Sequence, residues 1–360
     1  MASGALPPFS DELVRHLQEK HPVGPKTPFG NTIGPRSAAI SRIELTYALR
    51  GQDPEGGTGP AGWTKTLLML AYDDEGFGDG FSQLANQIAA GTAVGHRYLT
   101  ASMLIPLQTG QKVRPIAVQE LMLRVIKKAM VLQFVTPDGL HQNQRASRPG
   151  GCGTSHLWLE SAEREVSEGE EDRYLLDVDQ SNGFNNLSRK YSMGPAVKKG
   201  CPKIYRCVKW GYNTPSLLIL LNGTDTPTLL WSKEGGLQGD PMMLYIYGLA
   251  WRPVLEHTLE NIIDKDTDDG MSIVDDTKYL VNDEDTANKI LDYLDTAAVK
   301  KLGFFLNRDK TKITKLSDIN KTGGEVYGMH IGPPLDKKRE WLDAKAVAPK
   351  STCSSRRSSD

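Results

Sequence analysis

Asp275 and Asp276 stand side by side between Ile273-Val274 and Tyr279-Leu280-Val281. β-Branched and aromatic flanks around a two-carboxylate tip predict a tight β-hairpin. Adjacent carboxylates at the edge of an apolar ribbon repel one another, and a divalent cation offsets that repulsion. Mg²⁺ suits the task because it favours one or two carboxylates, with substrate phosphates completing its shell. The same pair also fits a solvated Asp-Asp turn. Other residues must decide between the two.

A third carboxylate, Asp179, follows the apolar run Tyr174-Leu175-Leu176-Asp177-Val178, where alternation puts Asp177 and Asp179 on one face. Phe184 comes five residues later. Lys112 and Arg114 lie two apart on the strand Lys112 to Val118, which follows Met103 to Leu107 and the turn Thr109-Gly110-Gln111. Two cations on one face suit a triphosphate, Arg by forked hydrogen bonds and Lys as a point charge; a solvated hairpin face explains them equally. A glycine loop, Gly235 to Pro241, offers Asp240 as a helix cap and Pro241 as the first helical residue. Leu306-Asn307 with Lys310-Thr311 closes the series.

These residues need elements to hold them. Ser10, Ser41 and Thr64 predict helix starts, with Leu13 and Leu17 aligned in the first and Leu45, Ala48 and Leu49 in the second. A further helix is expected from Asp79 to Ala90, and this lead-in reads as packing without chemistry of its own. Glu120 to Phe134 has helical period, with Arg124, Lys127 and Lys128 leaving the apolar positions. His141 to His156 reads as a loop before a helix near Thr154. Leu217 to Leu221 should pair with Thr228 to Trp231 around Asn222-Gly223. Met242 to about Ile262 is apolar enough for a core helix. Asp285 is the expected cap of a helix with Ile290, Leu294 and Ala297 inward, ended by Leu302-Gly303.

The chain has 360 residues, 39% hydrophobic and 24% charged, enough for one to three subdomains. Its longest aliphatic run, Leu217 to Leu221, is far too short to span a bilayer. No secretory pattern opens the chain, so an intracellular protein, nuclear or cytoplasmic, is expected. Four cysteines form no CxxC pair and do not cluster with the seven histidines, which argues against structural zinc and disulfides. Net charge is −1, yet five basic residues and one acid lie between Lys112 and Lys128. A near-neutral total can hide a basic face.

The ordered set resembles the palm of reverse transcriptases, specifically those of non-LTR retrotransposons, and is most similar to spliced-leader-associated site-specific elements. Its residues are Arg114-Pro115-Ile116-Ala117-Val118, Asp179 with Asn182-Gly183-Phe184-Asn185, Gln238-Gly239-Asp240-Pro241, Val274-Asp275-Asp276, Leu306-Asn307 with Lys310-Thr311, and Tyr327 to Gly332. The resemblance covers roughly residues 40 to 335. It implies an α+β, right-hand polymerase with fingers and palm, an antiparallel palm sheet packed on helices, and a thumb truncated or absent. The expected divisions are a lead-in over 1–55, fingers over 56–173, palm over 174–335 with inserted fingers-like helices around 190–212, and a disordered tail over 336–360.

The resemblance also implies roles. Asp179, Asp275 and Asp276 would hold two Mg²⁺ ions (Mn²⁺ being the other candidate) for nucleotidyl transfer from a dNTP to a primer 3′-hydroxyl. Lys112 and Arg114 would grip the triphosphate, Gln238 and Gly239 would line the nucleotide pocket, and Lys310 would act as general acid or stand as a surface lysine. Phe184 would clash with a ribose 2′-hydroxyl and favour DNA synthesis. Arg124, Lys128 and Arg189 are candidates for an RNA template and a DNA or RNA primer. Three positions depart from the family: Ile273 replaces an aromatic residue, Gly183 stands where Ala is usual, and Gln108 sits near a usual lysine. Two rivals stay open, a viral-type RNA-dependent RNA polymerase and a silent retroelement remnant that only binds RNA.

Overall fold

The computed structural model describes residues 5–110, 112–146, 148–167, 172–221, 223, 226–327, 329–332 and 339. Nearly all of the expected tail lies outside them, as do Gln111, Asn222 and Gly328 of the motifs above. The strands are β1 (Ser102–Thr109), β2 (Lys112–Gln119), β3 (Tyr174–Val178), β4 (Ser216–Leu220) and β5 (Thr228–Ser232), then β6 (Asp269–Ile273), β7 (Asp276–Val281), β8 (Lys312–Lys315), β9 (Gly324–Val326) and β10 (Met329–Ile331). Among the described residues they form a sheet β2-β1-β4-β5, a sheet β6-β7-β3-β8 and the ribbon β10-β9.

The sheet around β3 is antiparallel throughout, with Leu176 opposite Tyr279 and Asp177 opposite both Lys278 and Lys312. Its sequence is apolar on both sides because both faces are covered. Leu176, Val178, Tyr279 and Val281 enter the main core, while Leu175 and Leu280 join Leu159, Leu316 and Ile319 in a second cluster. Burying such a leucine stabilises the fold by about 1.5–3 kcal/mol, so a one-residue slip would forfeit contacts on both faces at once. The register that places the carboxylates is therefore well held.

In the other sheet β1 and β2 pair from Ser102 opposite Gln119 to Thr109 opposite Lys112, and β4 joins β1 in parallel at Ser102 and Met103. The β4–β5 hairpin thus extends this sheet. The helix Met243–Asn261 is buried along most of its length, at Tyr247, Trp251 and Leu255 among others. It is the expected core helix. The fold is α+β with sheets packed on helices, consistent with fingers and palm.

Several helix ends differ from expectation. Asp74 accepts from the Phe77 amide and starts the helix Glu75–Ala90 four residues early. Gly76, Gly78 and Gly80 hid that turn, since glycine costs about 1 kcal/mol in a helix. Gly78 has a packing reason: a Cβ there would lie 2.4 Å from Arg42 Nη2. The helix Gly151–Ser167 also starts early, at Gly151. Asp283, not Asp285, caps Glu284–Leu294. Ala297 is exposed and opens a separate short helix in which Val299 turns inward.

Candidate active site

The tip of the β6–β7 hairpin is Val274-Asp275, and Val274 has φ 62. A β-branched residue in the left-handed region is strained and must be held there. Gln144, 1% exposed, holds it. Its Oε1 accepts from the Val274 amide at 2.9 Å and its Nε2 donates to the Val274 carbonyl at 3.2 Å. Ser272 Oγ reaches the same carbonyl at 3.0 Å. The 141–156 loop is therefore part of the site's scaffold. Gln144→Leu should lower turnover by on the order of a hundredfold by misplacing Asp275, with a smaller change in KM. Steady-state kinetics checks this, and an unchanged turnover would reduce Gln144 to a packing residue.

Asp179 follows β3 and is fixed by the Leu306–Thr311 segment. Its carbonyl accepts from the Asn307 amide at 2.9 Å, its amide donates to Thr311 Oγ1 at 3.1 Å, and its Oδ2 accepts from Asn307 Nδ2 at 2.8 Å. Asn307 and Thr311 thus orient a candidate metal ligand, and Lys310 between them is exposed.

Burial raises the pKa of Asp275, with Asp276 and Asp179 adding to the effect and Lys112 opposing it. Burial likewise raises that of Asp276, with Lys278 opposing and Asp177 and Asp179 adding. Lys278 is 3% exposed and bridges Asp177 and Asp276, at 2.5 Å to each. No group of three His, Cys, Asp or Glu among the described residues is assembled around an ion position. The donor set nevertheless fits a hard divalent ion. Asp179 commits one oxygen to Asn307 and Asp276 one to Lys278, while Asp275 accepts from no other side chain among the described residues. Two carboxylates desolvated by burial, Asp275 and Asp276, with the charge of Asp179 acting on both, are what a bound cation would relieve.

Opposite them Lys112 and Arg114 are exposed at the start of β2, and Lys112 lies close enough to oppose the Asp275 shift. A third cation arrives from the N-terminal helix Asp11–Glu19. Asn182 and Asn185 both donate to the Lys20 carbonyl, at 2.9 and 3.0 Å. Burial and then the charges of Lys112 and Lys310 lower the Lys20 pKa, so Lys20 lies within electrostatic reach of both. The N-terminal helix was expected only to pack; instead it delivers a cation to the site. No local pattern around Lys20 signals this, because its partners lie more than 160 residues away.

Phe184 is half-buried and rests on Tyr247 with ring centroids 5.1 Å apart. Tyr247 donates to Gln180 Oε1, and its pKa is raised by burial and by Asp275. The departure at Gly183 has its reason here: a Cβ would lie 2.9 Å from the Tyr247 hydroxyl. Gln238 is stitched to β2 by its carbonyl, which accepts from the Ala117 amide at 2.8 Å. Gly239 has φ +118 and would place a Cβ 2.6 Å from the Ala117 carbonyl, so glycine is required twice over.

The three template candidates are otherwise engaged. Arg189 is corrected outright: it is 1% exposed and donates to the Gly235, Tyr212 and Ser232 carbonyls, with its pKa lowered to about 10 by burial. It builds the glycine loop and cannot meet a template. Arg124 braces Gly57 and Lys128 braces Gly51. Lys127, read as leaving the apolar face, is buried and paired with Asp240, which also accepts from Tyr212 and from the Met242 amide. Asp240 therefore closes a buried ion pair and braces the turn ahead of the helix; the N-cap is Met242, without a side-chain cap, so the expected cap at Asp240 and helical start at Pro241 are corrected.

Residues 106–340 match the family described as reverse transcriptase (RNA-dependent DNA polymerase). Among curated proteins none matches. Among solved structures the chain is similar to apo telomerase from Candida tropicalis, at 12% identity and a TM-score of 0.50 over 72% of this chain and 51% of that one. It is also similar to that telomerase truncated from its C-terminal domain (14%, 0.48, 75% and 59%). A third is Candida albicans telomerase with a fragment of telomeric RNA (11%, 0.46, 75% and 49%). The chain spans about half to three-fifths of those proteins, and at these identities the likeness concerns fold.

Proposed function

The chain belongs to the reverse transcriptase family, and from that premise we propose that it is an RNA-directed DNA polymerase of a retroelement, of the non-LTR type, extending a DNA or RNA primer on an RNA template with dNTPs. The observation that supports this best is that Lys112 on one sheet lies within electrostatic reach of Asp275 on the other, beside Asp276 and Asp179. Cations that suit a triphosphate there face carboxylates that suit the metal ions bound to it.

Two Mg²⁺ ions, or Mn²⁺, when bound would favour ionisation of the primer 3′-hydroxyl and stabilise the departing pyrophosphate. Asp179 and Asp275, with Asp276 beside them, are the residues that would hold them. Lys112, Arg114 and Lys20 neutralise the triphosphate of the incoming nucleotide. Lys310, whose charge acts on Lys20, is the proposed donor of a proton to pyrophosphate. Gln238 and Gly239 form the wall of the nucleotide pocket. Residues 56–173 serve as fingers and 174–335 as palm.

Phe184, whose ring is backed by Tyr247, is the residue proposed to exclude a 2′-hydroxyl. Phe184→Val should raise incorporation of rNTPs relative to dNTPs by roughly tenfold or more. Primer extension on an RNA template with each nucleotide set tests both points. Wild type preferring dNTPs, with the preference eroded in the variant, is the expected result. A wild type that prefers rNTPs would overturn DNA synthesis.

A further inference from the structure

A second cleft opens at the end of the β2-β1-β4-β5 sheet where β1 and β4 begin and β5 ends. It measures about 980 Å³, at the upper end of what small-molecule pockets occupy. Arg97, Arg206, Lys209 and Lys233 line it together with Trp210 and Trp231, and no lining residue is acidic. Lys112, at the catalytic end, lies one β1 length away, roughly 25 Å for a strand of this size.

The charge in this cleft is uncompensated. Lys209 donates to the Gly30 and Thr32 carbonyls and Arg206 to the Gly34 carbonyl. These are neutral partners that fix the cations without cancelling them. Among the described residues none of the four cations forms an ion pair. His96 adds no charge, since burial lowers its pKa. Trp210 is held by its Nε1, which donates to the Ala93 carbonyl at 2.9 Å. Trp231 is 42% exposed on the edge strand β5. A bare aromatic face beside tethered cations suits a strand whose phosphates meet the cations and whose bases stack.

We propose that this cleft binds single-stranded RNA at a site separate from the catalytic carboxylates. The inference rests on the proposed function only in taking nucleic acid as the polyanion. It is tested by binding a short, unstructured, fluorescently labelled RNA to the full chain, without primer, dNTPs or divalent ions. Trp231→Ala should weaken binding by roughly tenfold. Arg97→Ala with Lys233→Ala should lower the slope of log K against log salt by about 1.4. All three residues are exposed, and unchanged melting of the variants shows that the fold is intact. Unchanged affinity and slope in folded variants would overturn the site. So would polyglutamate binding lost with the cations but indifferent to Trp231, which would mark an acidic peptide surface. A chain that polymerises without these effects lacks the cleft function, and one that shows them without polymerising lacks the proposed activity.

Discussion

Lys127→Ala is expected to destabilise the protein by about 3–5 kcal/mol, because it leaves Asp240 buried without its counter-charge. Lys127 and Asp240 are 2% and 4% exposed, so little water can reach either. The ammonium also donates to Gln119 Oε1 and lies 5.4 Å from the centre of the Tyr212 ring. One side chain thereby welds the helix Leu121–Phe134 to the end of β2 and to the glycine loop. A loss of this size lowers Tm by on the order of 10 °C. Replacing both partners, as Lys127→Met with Asp240→Asn, should recover part of it, since neither buried site then carries an uncompensated charge. Thermal denaturation of the three proteins decides the matter. A single variant as stable as wild type would mean that the pair is solvated.

Asp275→Asn is expected to lower primer extension by on the order of a thousandfold or more, through loss of a ligand to the reacting ions. The same change should raise Tm by about 1–3 °C in divalent-free buffer near neutral pH. Burial and the neighbouring Asp276 and Asp179 make the Asp275 pKa higher folded than unfolded. A carboxyl shifted that way favours folding while protonated and loses that contribution as pH rises through its folded value. At neutral pH the ionised group is therefore a cost that asparagine removes. Adding Mg²⁺ should raise the wild-type Tm by mass action and leave the variant nearly unmoved. A variant that melts lower than wild type without metal would show that Asp275 is not the strained, desolvated group described above.

Much of the fold was legible because its signals are local. The Asp275-Asp276 hairpin, the Lys112 strand and the caps at Ser10, Ser41 and Thr64 stand as their spacing predicts. The order of carboxylates, glycine loop and Asn307 segment was enough to suggest the family. What stayed hidden depends on distant partners. Lys127 and Arg189 look like surface cations until the glycine loop closes over them. Gln144 lies in a stretch that reads as a plain connector, yet its amide meets both polar groups of Val274, 130 residues away. Lys20 reaches the site because Asn182 and Asn185 bind its carbonyl, a contact that no periodicity encodes. Lys278 alternates correctly for a strand, but its role between Asp177 and Asp276 appears once β3 and β7 are paired.

The most direct measurement is single-nucleotide incorporation by the full chain on RNA templates that differ in the one base to be copied, with Mg²⁺ and one dNTP at a time. Addition of the complementary dNTP on each template, lost in Asp275→Asn, is the expected result. Addition that ignores the template base, or none from folded wild-type protein, would contradict RNA-directed DNA synthesis by this chain.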